Sequence, residues 1–192
     1  MLQPCRVWLA ACWLACWVTG GAAAQTQSPP PAQALAAYVA KPDATFAWRI
    51  QRRYEHKNAE VLELHLESQT WQGTLWKHQL LIIQPKRVKD PGHALLIVGG
   101  GRWRDSYDAA TDDVTLPEEA ELFVAMARVL RSTVVVLGQV PFQPLFDLSE
   151  DRLIAYTFDR YLATGDTEWP LLLPMVKSVV RAMDAGSAAA SR

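Results

Sequence analysis

The chain has 192 residues, half of them apolar, with 19 Lys and Arg against 20 Asp and Glu and a formal net charge of −1. That length suits one domain with a sizeable core. The near-zero charge gives no sign of a nucleic-acid partner or of attraction to an anionic membrane surface.

Residues 1–24 read as an export leader. Arg6 is the sole charged side chain, Val7–Val18 is an unbroken apolar run, and Ala22-Ala23-Ala24 offers a small-residue cleavage site before Gln25. The run is short for a membrane span, and polar sequence follows it. Leu9-Ala10-Ala11-Cys12 resembles a lipoprotein cleavage box, but too few residues separate Arg6 from Cys12 for a hydrophobic region. Cleavage after Ala24 and a periplasmic or secreted location are expected. Cys5, Cys12 and Cys16 all lie in this leader, so the mature chain forms no disulfide and carries no thiol nucleophile or Cys-ligated zinc.

Residues 25–33, with Ser28-Pro29-Pro30-Pro31, read as a proline-rich linker. Ala34–Val39 suits one or two helical turns, stopped before Lys41-Pro42. Phe46, Trp48 and Ile50 alternate with polar neighbours, as do Leu62, Leu64 and Leu66, predicting two half-buried strands. Trp71-Gln72-Gly73 turns into a third strand, Leu75–Ile83, and the three are expected to be antiparallel with one wet face. Asp90-Pro91-Gly92 is a turn signal.

Ala94–Gly101 (Ala-Leu-Leu-Ile-Val-Gly-Gly-Gly) follows, an apolar run without alternation and then three glycines. Such a run predicts a strand buried on both faces of a parallel sheet. The glycines are either a tight strand exit or a loop that brings backbone amides to a ligand. An acidic loop (Asp105, Asp108, Asp112, Asp113) leads to a helix with Thr115 and Glu118 as a capping box and Leu122, Phe123, Met126, Ala127 and Leu130 on one face. Thr133–Leu137 completes a strand–helix–strand unit, expected to be parallel and right-handed.

Two prolines, Pro141 and Pro144, then forbid a continuing ladder. Ser149 is placed to cap a helix with Leu153, Ile154, Thr157, Phe158, Tyr161 and Leu162 as its apolar positions, ended by Gly165. A last helix follows Trp169-Pro170, with Pro174 in its first turn and Met175, Val176, Val179, Val180 and Met183 on one side. Residues 185–192 read as a disordered tail, leaving 34–184 as the folded unit.

None of the eight serines has glycine two residues before it, so no Gly-x-Ser-x-Gly nucleophile elbow is present. Gly99 and Gly101 begin a dinucleotide fingerprint, but Arg104 stands at its last glycine and the helix starts too late. No cofactor is implied. Glu63, His65 and Glu67 share a strand face and would suit a divalent metal, although period-two polarity is what any solvated face shows. The acidic loop lacks the spacing and glutamate of the calcium loop. His78 and His93 have no acidic or serine partner close in sequence. Trp71, Trp76, Trp103 and Trp169 suit either a pocket or the core.

Several blocks together are more specific. Tyr38–Asp43, Ser68–Trp71, Trp76–His78, Gln139–Pro141, Gln143–Leu145, Glu150–Phe158, Trp169–Met175 and Ser178–Asp184 resemble the PhoPQ-activated pathogenicity-related protein family, a likeness running from Tyr38 to Asp184. The resemblance implies an exported, virulence-associated bacterial protein under a two-component system that senses envelope conditions, and an α/β-hydrolase-like fold. Family members are longer, and their serine-bearing stretch follows the Trp169–Asp184 helix, where this chain reads Gly186-Ser187-Ala188-Ala189-Ala190. The expected fold is therefore an incomplete α/β-hydrolase-like sheet, the N-terminal half of the domain. One functional part carries over: Gly99, Gly100, Gly101 and Arg102 match the loop that donates an oxyanion-hole amide.

A donor without a nucleophile binds but does not turn over an ester. The resemblance thus implies a chain truncated before its nucleophile and without hydrolase activity as given. The alternative is a non-catalytic envelope module that holds a small molecule or envelope component. In the hydrolase order Ala94–Gly99 also has one unpaired side, open to self-association.

Overall fold

A computed structural model describes residues 30–108 and 115–190. The expected leader with its three cysteines, most of the expected linker, and Asp112 and Asp113 fall outside them. The elements in order are α1 (Ala34–Ala40), β1 (Ala47–His56), β2 (Ala59–Trp71), β3 (Thr74–Pro85), β4 (Ala94–Val98), α2 (Ala120–Leu130), β5 (Thr133–Leu137), α3 (Glu150–Thr164) and α4 (Leu172–Ala190). The strands make one five-stranded sheet of order β1-β2-β3-β5-β4. As expected, β1, β2 and β3 form an antiparallel meander, and β4 and β5 are parallel neighbours joined through α2. The antiparallel β3–β5 pairing fuses the two parts. Among the described residues β4 is paired on one side only.

Local chemistry sets the hairpins. Lys57 and Asn58 (φ 47° and 62°) and Gln72 and Gly73 (φ 47° and 74°) are two-residue turns in the left-handed region, whose twist matches that of the flanking strands. Even-numbered residues of β2 and β3 (Leu62, Leu64, Leu66, Leu80, Ile82) join Val135 and Leu137 beneath α4. The opposite face (Val61, Ile83, Val134) packs on Val124 and Ala127 of α2. A third cluster, under α3 and the start of α4, contains Trp71, Trp76, Leu153 and Leu171.

Several expectations are corrected. The face expected to be wet is covered over its middle, where Glu63 and His65 are each 2% exposed. Glu63 is engaged by Arg52, Tyr54 and Gln79, and His65 lies beneath Trp103 of the loop after β4, while Arg49 opposite His65 stays exposed. Pro31–Gln33 is a 3-10 turn running straight into α1, which shortens the linker. Helix α2 starts at Ala120, later than predicted, with Glu119 rather than Thr115 at its cap position and no side-chain cap bond there. Its buried positions are Ala120, Val124 and Ala127, whereas Leu122 and Leu130 face solvent.

Ser149 occupies the cap position of α3 without a side-chain cap bond. Gln143 caps remotely instead, accepting from the Glu150 amide at 3.0 Å and donating to its carboxylate at 2.6 Å. Phe158 and Leu162 of α3 are exposed. Gly165 ends that helix in the left-handed region (φ 71°), as predicted.

The expected tail is helical through Ala190, with Ala185 and Ala189 buried. Small side chains at Ser178, Ala182, Ala185 and Ala189 let α4 lie close on the sheet. Met175 and Val179 pack inward, while Val176 and Met183 are exposed. Pro174 sits in the first turn of α4 as predicted. No helix among the described residues is long and apolar enough to cross a membrane.

Candidate functional site

Strands β4 and β5 end side by side, and the backbone beyond them stays knitted. The Gly99 amide donates to the Leu137 carbonyl (2.8 Å), Gln139 to Gly100 (3.1 Å) and Val140 to Gly99 (3.0 Å). Gly99 and Gly100 thus spend their carbonyls on the segment that follows β5. Among the described residues the amides of Gly100, Gly101 and Arg102 donate to no protein acceptor. Gly101 has φ 115°, a conformation that side chains resist, and a Cβ there or at Gly100 would meet nothing within 4 Å.

That open space is a cavity of about 720 Å³. Gly100, Gly101, Arg102 and Trp103 line one side, Glu63, Gln79 and Gln139 the floor, and Glu119 and Phe123 the side toward α2. It lies outside the carboxyl ends of the parallel pair, where open α/β sheets bind ligands. The floor is a locked polar array. Arg52 Nη1 meets both Glu63 carboxylate oxygens at 3.0 Å, Tyr54 Oη donates to Glu63 at 2.7 Å, and Gln79 Nε2 reaches it at 3.3 Å. Burial, then the bond and charge of Glu63, push the Tyr54 phenol up to about 12. Glu63 is therefore spoken for as a structural anion and is not available as a metal ligand. Among the described residues no group of three His, Cys, Asp or Glu could hold a metal ion.

The loop after the glycines is strapped across β1–β3. Gln51 Nε2 donates to the Tyr107 carbonyl (2.8 Å), Lys77 Nζ meets Asp108 Oδ2 (2.9 Å), and the Trp103 ring lies 5.0 Å from that of His65. Burial works to raise the Asp108 carboxyl, but the bonds from Lys77 and Trp103 outweigh it and hold it below its ordinary value. His65 has no hydrogen bond at either ring nitrogen. Its Nδ1 is 3.5 Å from Asp108 and its Nε2 3.7 Å from Glu67, while burial and then Arg49 push its pKa down.

His78 belongs to the other face. It is wholly buried, with Nε2 2.9 Å from Ser68 Oγ and Nδ1 3.1 Å from the Gly138 carbonyl. The carbonyl requires the proton on Nδ1, so Nε2 accepts from Ser68. Ser68 Oγ is also 2.9 Å from Ser178 Oγ on α4, and Gln69 links Tyr38 (2.9 Å) to the Pro174 carbonyl (2.7 Å). Burial lowers the His78 pKa to about 4. This serine–histidine pair has the distance of a catalytic dyad but no acid behind the imidazole and no exposure of Ser68 or His78. It fastens α4 to the sheet.

Sequence separation conceals both partners of Ser68: His78 is 10 residues away and Ser178 is 110. His93, also expected to lack a partner, meets Asp90 at 2.8 Å on the surface. Of the tryptophans that suit either a pocket or the core, Trp71, Trp76 and Trp169 belong to the third core cluster, and Trp103 lines the cavity.

The sequence model of a family described as PhoPQ-activated pathogenicity-related protein matches residues 35–192. The chain is also 30% identical over 161 residues to the Autocrine proliferation repressor protein A of Dictyostelium discoideum, an alignment covering 77% of this chain and 31% of that protein. It thus spans about a third of the length of that relative. No solved structure matches it.

Proposed function

The chain belongs to the PhoPQ-activated pathogenicity-related family, and from that premise we propose that its glycine loop is the oxyanion side of a hydrolase-like site that binds without turnover. The observation that carries this reading is the juxtaposition of unused amides at Gly100, Gly101 and Arg102 with a 720 Å³ cavity at the carboxyl ends of β4 and β5. The strand order β2-β3-β5-β4, with its one parallel pair, supports a hydrolase-like sheet. The ligand is a small carbonyl or carboxylate compound, received in the periplasm or outside the cell after the leader is removed at Ala24. Among the described residues no activated serine reaches the cavity: Ser149, 3.5 Å from Arg102, has no histidine bonded to it.

Titrating benzoate into isotopically labelled chain tests the site. Amide resonances of Gly100, Gly101 and Arg102 are expected to shift together, and Gly101→Val to abolish the response. Shifts scattered away from this loop, or p-nitrophenyl acetate cleaved by the chain faster than by buffer, would overturn the reading.

A second reading concerns partners. Ala94–Val98 is an uncharged outer strand with Leu95 39% and Val98 46% exposed, so a second copy can add to the sheet there. Sedimentation should show a dimer that Leu95→Lys converts to monomer. A monomeric wild type at high concentration would remove this reading.

A further inference from the structure

Helix α2 lies on the surface, yet its sequence is apolar nearly all round. Val124 and Ala127 face the sheet, while Leu122 (65% exposed) and Val129 (81%) stand on the outer side, followed by Leu130 (49%). A helix packed on one side ordinarily turns charge to water on the other. Here the charge is gathered at the C-terminal end. Arg128 and Arg131 line a cleft of about 650 Å³ together with Lys86, Arg87 and Asn58. Lys89 adjoins them, its amide donating to the Arg131 carbonyl at 2.7 Å.

Among the described residues none of these five cations is in an ion pair, and all five are exposed. The nearby acids are engaged: Glu60 with Arg53, and Glu121 with Lys57 and His56. Glu118 and Glu119 stand at the far, N-terminal end of the helix, Asp90 pairs with His93, and Glu55 and Glu60 flank Lys86 on the β1 side. A net charge of −1 averages this patch away.

We propose that the C-terminal half of α2 and the β3–β4 turn dock the protein onto anionic phospholipid surfaces. Phosphate headgroups enter the cleft between Lys86, Arg87, Arg128 and Arg131, and Val129 and Leu130 press into the acyl boundary. Protruding aliphatic side chains beside clustered Lys and Arg are the signature of interfacial binding. A free phosphate needs no Val129. A single-stranded nucleic acid would want aromatic platforms, and the patch has none.

The test is co-sedimentation of the full chain with vesicles of phosphatidylcholine alone or mixed with phosphatidylglycerol. Arg6 is the only charged side chain of the leader, so the difference between the two vesicle types reads the patch. Preference for the anionic vesicles is expected, fading as salt rises. The double substitution Arg128→Gln with Arg131→Gln should weaken anionic binding by about tenfold or more, each cation being worth roughly fivefold at a membrane surface. Val129→Ser with Leu130→Ser should weaken it severalfold while leaving the salt dependence unchanged.

All four side chains are exposed, and circular dichroism should confirm unchanged folding. Equal binding to neutral vesicles, or full retention by either double variant, overturns the proposal. Displacement by inorganic phosphate beyond salt of matched ionic strength marks a free-phosphate site instead. Equally tight, equally Arg-dependent binding to a DNA duplex marks a general polyanion site, and either result also overturns it.

Discussion

His78 and His65 occupy neighbouring strands of one sheet, on opposite faces, each at most 2% exposed. His78 has both ring nitrogens bonded, one to a backbone carbonyl and one to a serine that reaches across to α4. His65 has neither bonded and is covered by Trp103 from a loop, with two carboxylates just beyond hydrogen-bond range. The α4 face is thus fastened by satisfied polar groups. The α2 face is closed by a strap whose polar contacts are as short but more exposed, and it is there that a cavity opens. Burial alone does not separate a finished region from a working one; the state of the buried donors and acceptors does.

Acidification should break the fastened face first. The folded His78 pKa, near 4, lies below the ordinary value of 6.5, so the unfolded chain takes the proton earlier. The stabilisation is therefore complete above pH 6.5 and drains away as pH falls toward 4, by up to about 3 kcal/mol. Urea unfolding across that range measures it, and His78→Gln should flatten the profile. His65 leans the same way, and the Asp43 and Asp108 carboxyls, held below their ordinary value, add loss at the acid end, so a residual slope is expected in that variant. Identical slopes in wild type and variant would show that the burial of His78 is not felt.

On the other face, Glu63→Gln should cost about 2 kcal/mol, because Arg52 and Tyr54 lose the anion that both bond. The neutral amide keeps the shape, so a loss below the error of denaturant unfolding would mean that the carboxylate charge is dispensable.

The smallest effect on stability belongs to Asp108→Asn. An exposed anchor contributes little, about 0.5 kcal/mol or less. Hydrogen exchange in residues 101–108 should nevertheless accelerate clearly while that of the α4 face stays unchanged. Equal protection in both proteins would show that Gln51 and Trp103 hold the strap by themselves.

Much of this fold was legible because periodicity records which face is apolar. Alternation in Phe46–Ile50 and Leu62–Leu66 gave the meander, and the unpatterned runs 94–98 and 133–137 gave the parallel pair. The same logic failed at Glu63 and His65, since polar residues alternate identically whether water or a folded-over loop covers them. It failed again at Ala185–Ala190, where small residues look patternless yet are what close helix-to-sheet packing requires. The glycine loop could be located from sequence; its cavity could not, because Glu63, Gln79 and Gln139 converge only through the β2–β3–β5 pairing. The remote cap by Gln143 left no local signal at all.

Among the described residues, and apart from the 3.5 Å contact of Arg102 with Ser149, the groups that knit or strap the glycine loop in place precede residue 141: Gln51, Lys77, Leu137, Gln139 and Val140. A polypeptide emerging from the ribosome amino end first can therefore set this loop before α3 and α4 exist outside it. The order of assembly is written into the wiring, with the cavity shaped early and the helices on the far side added to a template already in position.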